Sequence, residues 1–438
     1  MDLKRKLSRL SSAGPGSRPP ARAPLPPPPP TRTDDERRAR IEQLRGMLGQ
    51  LIADDRRRMR ERPPPPAPVA LPGTLEETPY GPLHRVESWL EPAHCHGKVP
   101  IAGATRVSPE VVAKLALDPA LGALDPKRML FLDTETTGLA GGTGTIPFLI
   151  GLAFFEDESL CIEQLVLRRP GEEAPMLRRL AERIERASCI VSYNGKSYDW
   201  PLLRNRFVLS RVPVASAPLH LDLLHCARRV WKRRLGQVRL VNLEAEVLGL
   251  RREHDIDGAE IPARFWDFVR GADGSALAPV IEHNANDLVA LAAILVSLVE
   301  RYEELSPEHE PADTLGVAEV AVRADDRERA RRYAEAAADG GGPADVTADA
   351  LWLAAELARK RDDHRARIAL LERAIDETDD DEREARAHLA LSKLYEHRLR
   401  DYPRALEHAR RTAAAEGTAE RDHRIARIEA KLAKIALS

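Results

Sequence analysis

Asp133-Thr134-Glu135-Thr136-Thr137-Gly138 follows directly on the apolar run 129–132. In an extended strand residues i and i+2 share a face, so Asp133 and Glu135 point the same way. Two neighbouring carboxylates repel unless a cation neutralises them, and oxygen-only donors suit hard divalent ions such as Mg²⁺ or Mn²⁺. Gly138 and the run Gly141-Gly142-Thr143-Gly144 provide a turn through which backbone can approach a ligand. Taken alone, the pair fits an exposed acidic strand end equally well.

Two further clusters carry similar chemistry. Tyr193-Asn194-Gly195-Lys196-Ser197-Tyr198-Asp199 follows the apolar stretch 189–191, and Asp199 opens the next helix, where an N-cap is the alternative reading. His283 and Asp287 in His283-Asn284-Ala285-Asn286-Asp287 are i and i+4 on a long helix, hence on one face, where simple capping or hydrogen bonding is the alternative. Arg228, Arg229, Lys232, Arg233, Arg234 and Arg239 form a basic cluster that either neutralises phosphates or is a solvated helix face. Trp231 within it reads as core in preference to a stacking platform. Asp222 either caps the helix that begins at Leu223 or supports a metal ligand from one step away. His94-Cys95-His96 lacks a second pair at zinc spacing and reads as a buried thiol beside surface imidazoles.

These residues need elements to hold them, and the pattern over 129–305 is α/β. The run 129–132 reads as a strand buried on both faces. Strands are expected over 146–155 and 161–167, joined by the acidic turn 156–158, and again over 189–193. Helices are expected over 175–187, 200–209, 223–234 and 279–305, the last with Leu288, Leu291, Leu295 and Leu298 as its packing stripe. Beyond residue 315 the composition turns to Ala, Arg, Glu and Leu. Segments beginning at Asp326, Asp363 and Asp401 align at steps of 37 and 38 residues, each preceded by a helical stretch. Helix pairs at this period resemble tetratricopeptide repeats, with a plain helical bundle as the alternative.

The first 66 residues differ in kind. They hold 13 of the 34 prolines, in runs that favour extended polyproline II, and 16 Lys/Arg against 8 Asp/Glu. The remainder has 51 against 61, so a basic tail precedes an acidic body although the net charge is only −2. Residues 1–70 are therefore expected to be a disordered tail with one amphipathic helix over about 34–62. Residues 71–128 are expected to be an extension packed on the domain 129–305, with helical repeats over 315–438. No apolar run approaches the ~18 residues of a membrane span. The basic N-terminus has no apolar core for a signal peptide, and four scattered cysteines disfavour a disulfide framework. A reducing cytoplasm is the expected setting.

The ordered combination D-x-E-T-T-G, N-x-x-x-Y-D and H-x-x-x-D resembles the three motifs of the DEDD (DnaQ-like) exonuclease superfamily. The stretch from Leu243-Glu244 through Leu248-Gly249-Leu250-Arg251-Arg252, then Glu260-Ile261-Pro262 and Phe265-Trp266, is similar to a YprB-like bacterial branch, in which helical repeats often follow. The resemblance implies an α/β, RNase H-like mixed sheet flanked by helices, followed by an all-α repeat domain. It implies two Mg²⁺ or Mn²⁺ ions held by Asp133, Glu135, Asp199 and Asp287, with His283 as the base for the attacking water. That histidine stands four residues before the last aspartate, the spacing at which the superfamily's tyrosine variant places its base; the histidine variant uses five. Thr136, Asn194, Tyr198, Arg228, Arg229, Lys232 and Arg233 are the candidate substrate contacts. The implied activity is 3′–5′ hydrolysis of single-stranded DNA or RNA, with a protein partner for the repeats and no membrane. Two other readings stand beside it: a nucleic-acid-binding scaffold that cleaves slowly or not at all, and an adaptor that works through its repeats.

Overall fold

The computed structural model describes residues 69–436 apart from 139–143, 214–218 and 254, together with Glu42 and Gly46, which are helical. The proline runs and nearly all of the helix expected over 34–62 lie outside the described residues, as do Gly141, Gly142 and Thr143. Pro68–Ser438 forms one compact unit.

Elements are numbered in chain order. The strands are β1 (Thr74–Thr78), β2 (Gly81–Leu90), β3 (Cys95–His96), β4 (Val99–Pro100), β5 (Met129–Thr136), β6 (Pro147–Glu156), β7 (Ser159–Val166), β8 (Cys189–Ser192) and β9 (Leu219–Asp222). Seven of them make one sheet in the order β1-β2-β7-β6-β5-β8-β9, and β3 pairs with β4. The β5–β8 and β8–β9 pairs are parallel and the others antiparallel, so the sheet is mixed. The helices flanking it are α1 (Pro109–Ala116), α2 (Ala174–Arg186), α3 (Asp199–Leu209), α4 (Leu223–Leu235), α5 (Ile261–Val269) and α6 (Ala278–Glu303).

The central strand β5 serves both faces. Met129 and Phe131 enter a core with α4 and the C-terminal half of α6, whereas Leu130 and Leu132 enter another with α2, α3 and α5. By the same alternation Asp133 and Glu135 fall on the α6 side and Thr134 on the α3 side. The β1–β2 hairpin extends the sheet beyond β7, within the stretch 71–128 that the sequence marked only as an extension packed on the domain. Its strands carry His, Arg, Glu and Ser among the apolar residues, so their alternation is masked. The reading of His94-Cys95-His96 is reversed: Cys95 is exposed, while His96 is buried and bonded to Glu244 at 2.7 Å.

From Pro311 the chain is helical: α7 (Pro311–Arg323), α8 (Arg327–Asp339), α9 (Ala344–Lys360), α10 (His364–Asp376), α11 (Asp381–Leu394), α12 (Tyr402–Ala409) and α13 (Thr418–Ala436), with a short helix Ala413–Glu416 before the last. Three of the turns repeat one device. Asp325, Asp362 and Arg400 adopt left-handed backbone, and the next residue, Asp326, Asp363 or Asp401, caps the following helix through its side chain. The longer second step has a local cause. Asp326 N–H and Asp363 N–H reach back to Ala321 and Ala358, five residues each, whereas Asp401 N–H reaches six, to Tyr395, across the π-helical turn Tyr395–Leu399. One inserted residue is absorbed there without breaking the helix.

This array does not hang from a linker. Val317, Val320 and Tyr333 share a core with Trp231 and Tyr302. Gly316 lets α7 approach α4 so closely that a Cβ would lie 2.6 Å from the Val230 carbonyl oxygen.

Candidate functional site

Strand pairing lines up Asp133, Gly151 and Gln164 across β5, β6 and β7. Helix α6 crosses this row and lays the fully buried Asn284 over Gly151, where a Cβ would lie 2.1 Å from its side-chain oxygen. Gln164 donates its amide to the Asn284 side-chain oxygen at 2.8 Å and to the Ile281 carbonyl at 2.7 Å. Asn284 Nδ2 then donates to Asp133 Oδ2 at 2.7 Å. The amide chain fixes which way Asn284 points, and thereby one oxygen of Asp133.

Asp199 arrives from the loop after β8. Asn194 takes left-handed backbone (φ 66°), a conformation that asparagine tolerates better than most residues. Gly195 passes so close to Ser192 that a Cβ would lie 2.4 Å from its hydroxyl. The buried Asp222, at the end of β9, accepts from the backbone N–H groups of Asn194 (2.8 Å), Lys196 (3.2 Å) and Leu224 (3.1 Å). It therefore caps α4 and ties down the loop at once. Asp199 is not an N-cap: Tyr198 holds that position, and the Thr134 hydroxyl donates to the Asp199 carboxylate.

Asp287 and His283 lie one turn apart on α6. Arg252 and Asp255, to which the sequence reading gave no role, meet them there. Arg252 donates to Asp287 Oδ1 at 2.5 Å, to Glu244 at 3.0 Å and to Asp255 at 3.2 Å. His283 Nδ1 lies 2.7 Å from Asp255 Oδ1, while its Nε2 faces Asp287 Oδ2 at 3.7 Å and Glu135 Oε1 at 3.9 Å.

Electrostatics mark the four acids as one cluster. Burial first, then the charges of Asp287 and Asp199, push Asp133 well above the usual carboxylate range. Burial and the charges of Asp133, Asp287 and Asp199 do the same to Glu135. Asp199 is pushed up to about 6, mainly by burial. Asp287 is also raised by burial, against the opposing charges of Arg252 and His283. A surplus of buried negative charge with oxygen donors fits divalent cations. Among the described residues no three His, Cys, Asp or Glu side chains already stand in ligand geometry. Asn284, the Thr134 hydroxyl and Arg252 each engage an oxygen of Asp133, Asp199 and Asp287 respectively.

Beside the acids a cleft is lined by Thr134, Thr136, Gly138, Tyr198, Asp199 and Asn205. Tyr198 is 60% exposed there, an aromatic face open to a ligand. Thr136 donates its hydroxyl to the Gly138 carbonyl at 3.0 Å. The basic cluster divides. Arg228, Lys232, Arg233 and Arg239 are exposed. Arg229 instead donates to the Leu115 carbonyl at 3.0 Å, and Arg233 to Asp349 (2.7 Å) and Glu319 (3.0 Å). Arg234 forks onto the fully buried Asp313 at 2.9 and 2.8 Å. Arg229 and Arg233, expected as substrate contacts, thus have partners within the chain, Arg233 at the surface, because α4 lies against α1 and the helical array. Trp231 is core.

Asn284, Gln164, Arg252 and Asp255 received no role from the sequence. Asn284 carried a visible signal, a polar residue between His283 and Asp287 on the face turned to the sheet. Gln164 and Asp255 carried none, since their parts depend on strand register and on a loop.

Residues 130–299 match a family model described as the RNase_H superfamily. The chain is 35% identical over 187 residues to the uncharacterised protein YprB of Bacillus subtilis (strain 168), a stretch that covers 42% of this chain and 45% of that relative. The chain thus spans less than half the length of the curated relative it matches.

Proposed function

From the RNase H-like domain of residues 130–299, a nuclease-type fold, we infer a metal-dependent 3′–5′ exonuclease acting on single-stranded nucleic acid. The observation that carries this reading is the convergence of Asp133, Glu135, Asp199 and Asp287, drawn from β5, α3 and α6, into a buried cluster in which the charges of Asp199 and Asp287 raise the pKa of Asp133 and Glu135. Asp133, Glu135, Asp199 and Asp287 would hold two Mg²⁺ or Mn²⁺ ions, which would supply Lewis acidity for phosphodiester hydrolysis. His283 accepts the water proton at Nε2, the nitrogen turned toward Glu135 and Asp287. Tyr198 offers a stacking face for a base, Thr136 and Asn194 border the strand, and Arg228 and Lys232 attract phosphates. The helix pairs from Pro311 are read as tetratricopeptide-like, with a protein partner.

The test is digestion of DNA and RNA oligonucleotides, single- and double-stranded and labelled at the 5′ end, with Mn²⁺ or Mg²⁺. Stepwise shortening that EDTA and Asp133→Asn both abolish is the expected result. Binding without shortening would favour the scaffold reading, and internal cuts would overturn the exonuclease assignment.

A further inference from the structure

His283 stands one turn before Asp287, so the helix alone does not settle where its imidazole points. Another segment does. Asp255 lies 28 residues upstream, outside any helix or strand, and places Oδ1 2.7 Å from His283 Nδ1. An ionised carboxylate only accepts, so this contact requires the proton on Nδ1 and leaves the Nε2 lone pair facing Glu135 and Asp287. Asp255 is itself held from two sides: the Ile256 N–H donates to Oδ1 at 3.0 Å and Arg252 Nη1 to Oδ2 at 3.2 Å. Arg252 is anchored in turn on the buried Glu244.

We propose that Asp255 is the positioning residue of this site, fixing the tautomer and ring orientation of His283 so that Nε2 is presented to the attacking water. This rests on the nuclease reading for its consequence, but the tautomer can be read without turnover. Removing the carboxylate that orients a metal-site histidine typically costs ~10- to 100-fold, and a comparable loss is expected here. Asp255→Ala should therefore lower kcat by about that factor, with KM and Mn²⁺ affinity by calorimetry changed less than about threefold. In the His283→Ala background the same substitution should cost nothing further, because an effect exerted through one residue vanishes with it. Asp255→Asn, which keeps the size and an acceptor oxygen, should recover part of the loss and guards against misfolding.

The independent readout is nitrogen NMR of ¹⁵N-histidine-labelled, metal-free protein at mildly alkaline pH, with the His283 signals assigned by their disappearance in His283→Gln. The wild type should show Nδ1 protonated, and Asp255→Ala should move the population toward Nε2–H. An unchanged tautomer, or additive losses in the double variant, would overturn the proposal. If the wild type cleaves nothing, the nuclease reading fails while the tautomer shift still decides the role of Asp255.

Discussion

Asp199 bears the cost of the site most legibly. Burial, with the charge of Asp222 adding to it and the Thr134 hydrogen bond opposing it, holds the carboxyl at about 6. A carboxyl with a raised folded pKa binds its proton more tightly folded than unfolded, so the metal-free fold loses stability as pH rises from the ordinary aspartate range to about 6, and the full penalty stands above it. Asp199→Asn should therefore stabilise the metal-free protein near pH 8 by at most about 3 kcal/mol, read as a higher melting temperature. The gain should fade as the pH falls through 6 toward the ordinary aspartate range. Saturating Mn²⁺ should stabilise the wild type and leave the variant nearly unmoved. A variant less stable at every pH would instead make Asp199 a structural partner of Thr134. The sequence marked Asp133, Glu135, Asp199 and Asp287 because their motifs are local. It offered Arg252 only within the motif 248–252 and left Asp255 unmarked, because what the two do arises only when a loop folds onto α6.

Among elements, those with strong internal periodicity were readable: β5, the β6–β7 hairpin, α2, α4 and α6 lie within a few residues of expectation. The β1–β2 hairpin was not, because an edge hairpin with one solvated face carries charged residues. Register was equally hidden, and it decides whether Asn284 meets Gly151. Gly151→Ala should force Asn284 off Asp133 and cost about 1–3 kcal/mol. Adding Asn284→Ala should restore part of that stability, since the clash goes with the amide. If it restores none, the close approach is not what requires glycine. In the array, Glu396 of the π-helical turn binds Arg427 and Lys431 of α13 at 2.7 to 2.8 Å. Burial would raise its pKa, but the hydrogen bonds from Arg427 and Lys431 outweigh that and hold it at about 2. Its contribution is present above the unfolded value near 4.5 and lost as pH falls toward 2. Glu396→Gln should then cost about 2 kcal/mol at neutral pH, a gap in melting temperature that closes on acidification.

On the scale of the whole molecule, the same helix faces both the sheet and the repeats. One side of α4 buries Cys226, Ala227, Val230 and Trp231 in the core behind β5, and its arginines tie α1 and α7. Half of the basic run that looked like a phosphate contact in the sequence, Arg229, Arg233 and Arg234, serves as a joint. Asp313 makes the point in energetic terms: it is fully buried, forked by Arg234 and 3.5 Å from Arg301, so removing either side of that joint strands a charge. Ending the chain after residue 310 should therefore expose Trp231 and Tyr302 and leave Arg234 and Arg301 without their carboxylate. The truncated protein should aggregate or lose its cooperative thermal transition, whereas removing residues 1–67 should leave the transition of the remaining unit unchanged. A soluble, cooperatively melting product ending at 310 would show that the array adds a partner surface and nothing to the stability of the sheet domain. Asp313→Asn tests the joint without deleting it. It keeps the shape and removes the charge that the two arginines share, so it should cost about 3–5 kcal/mol if the pair is as buried as the geometry indicates. Because α4 follows directly on Asp222, the clamp of the Asn194–Lys196 loop, loosening this joint should also reach the acids through Asp199.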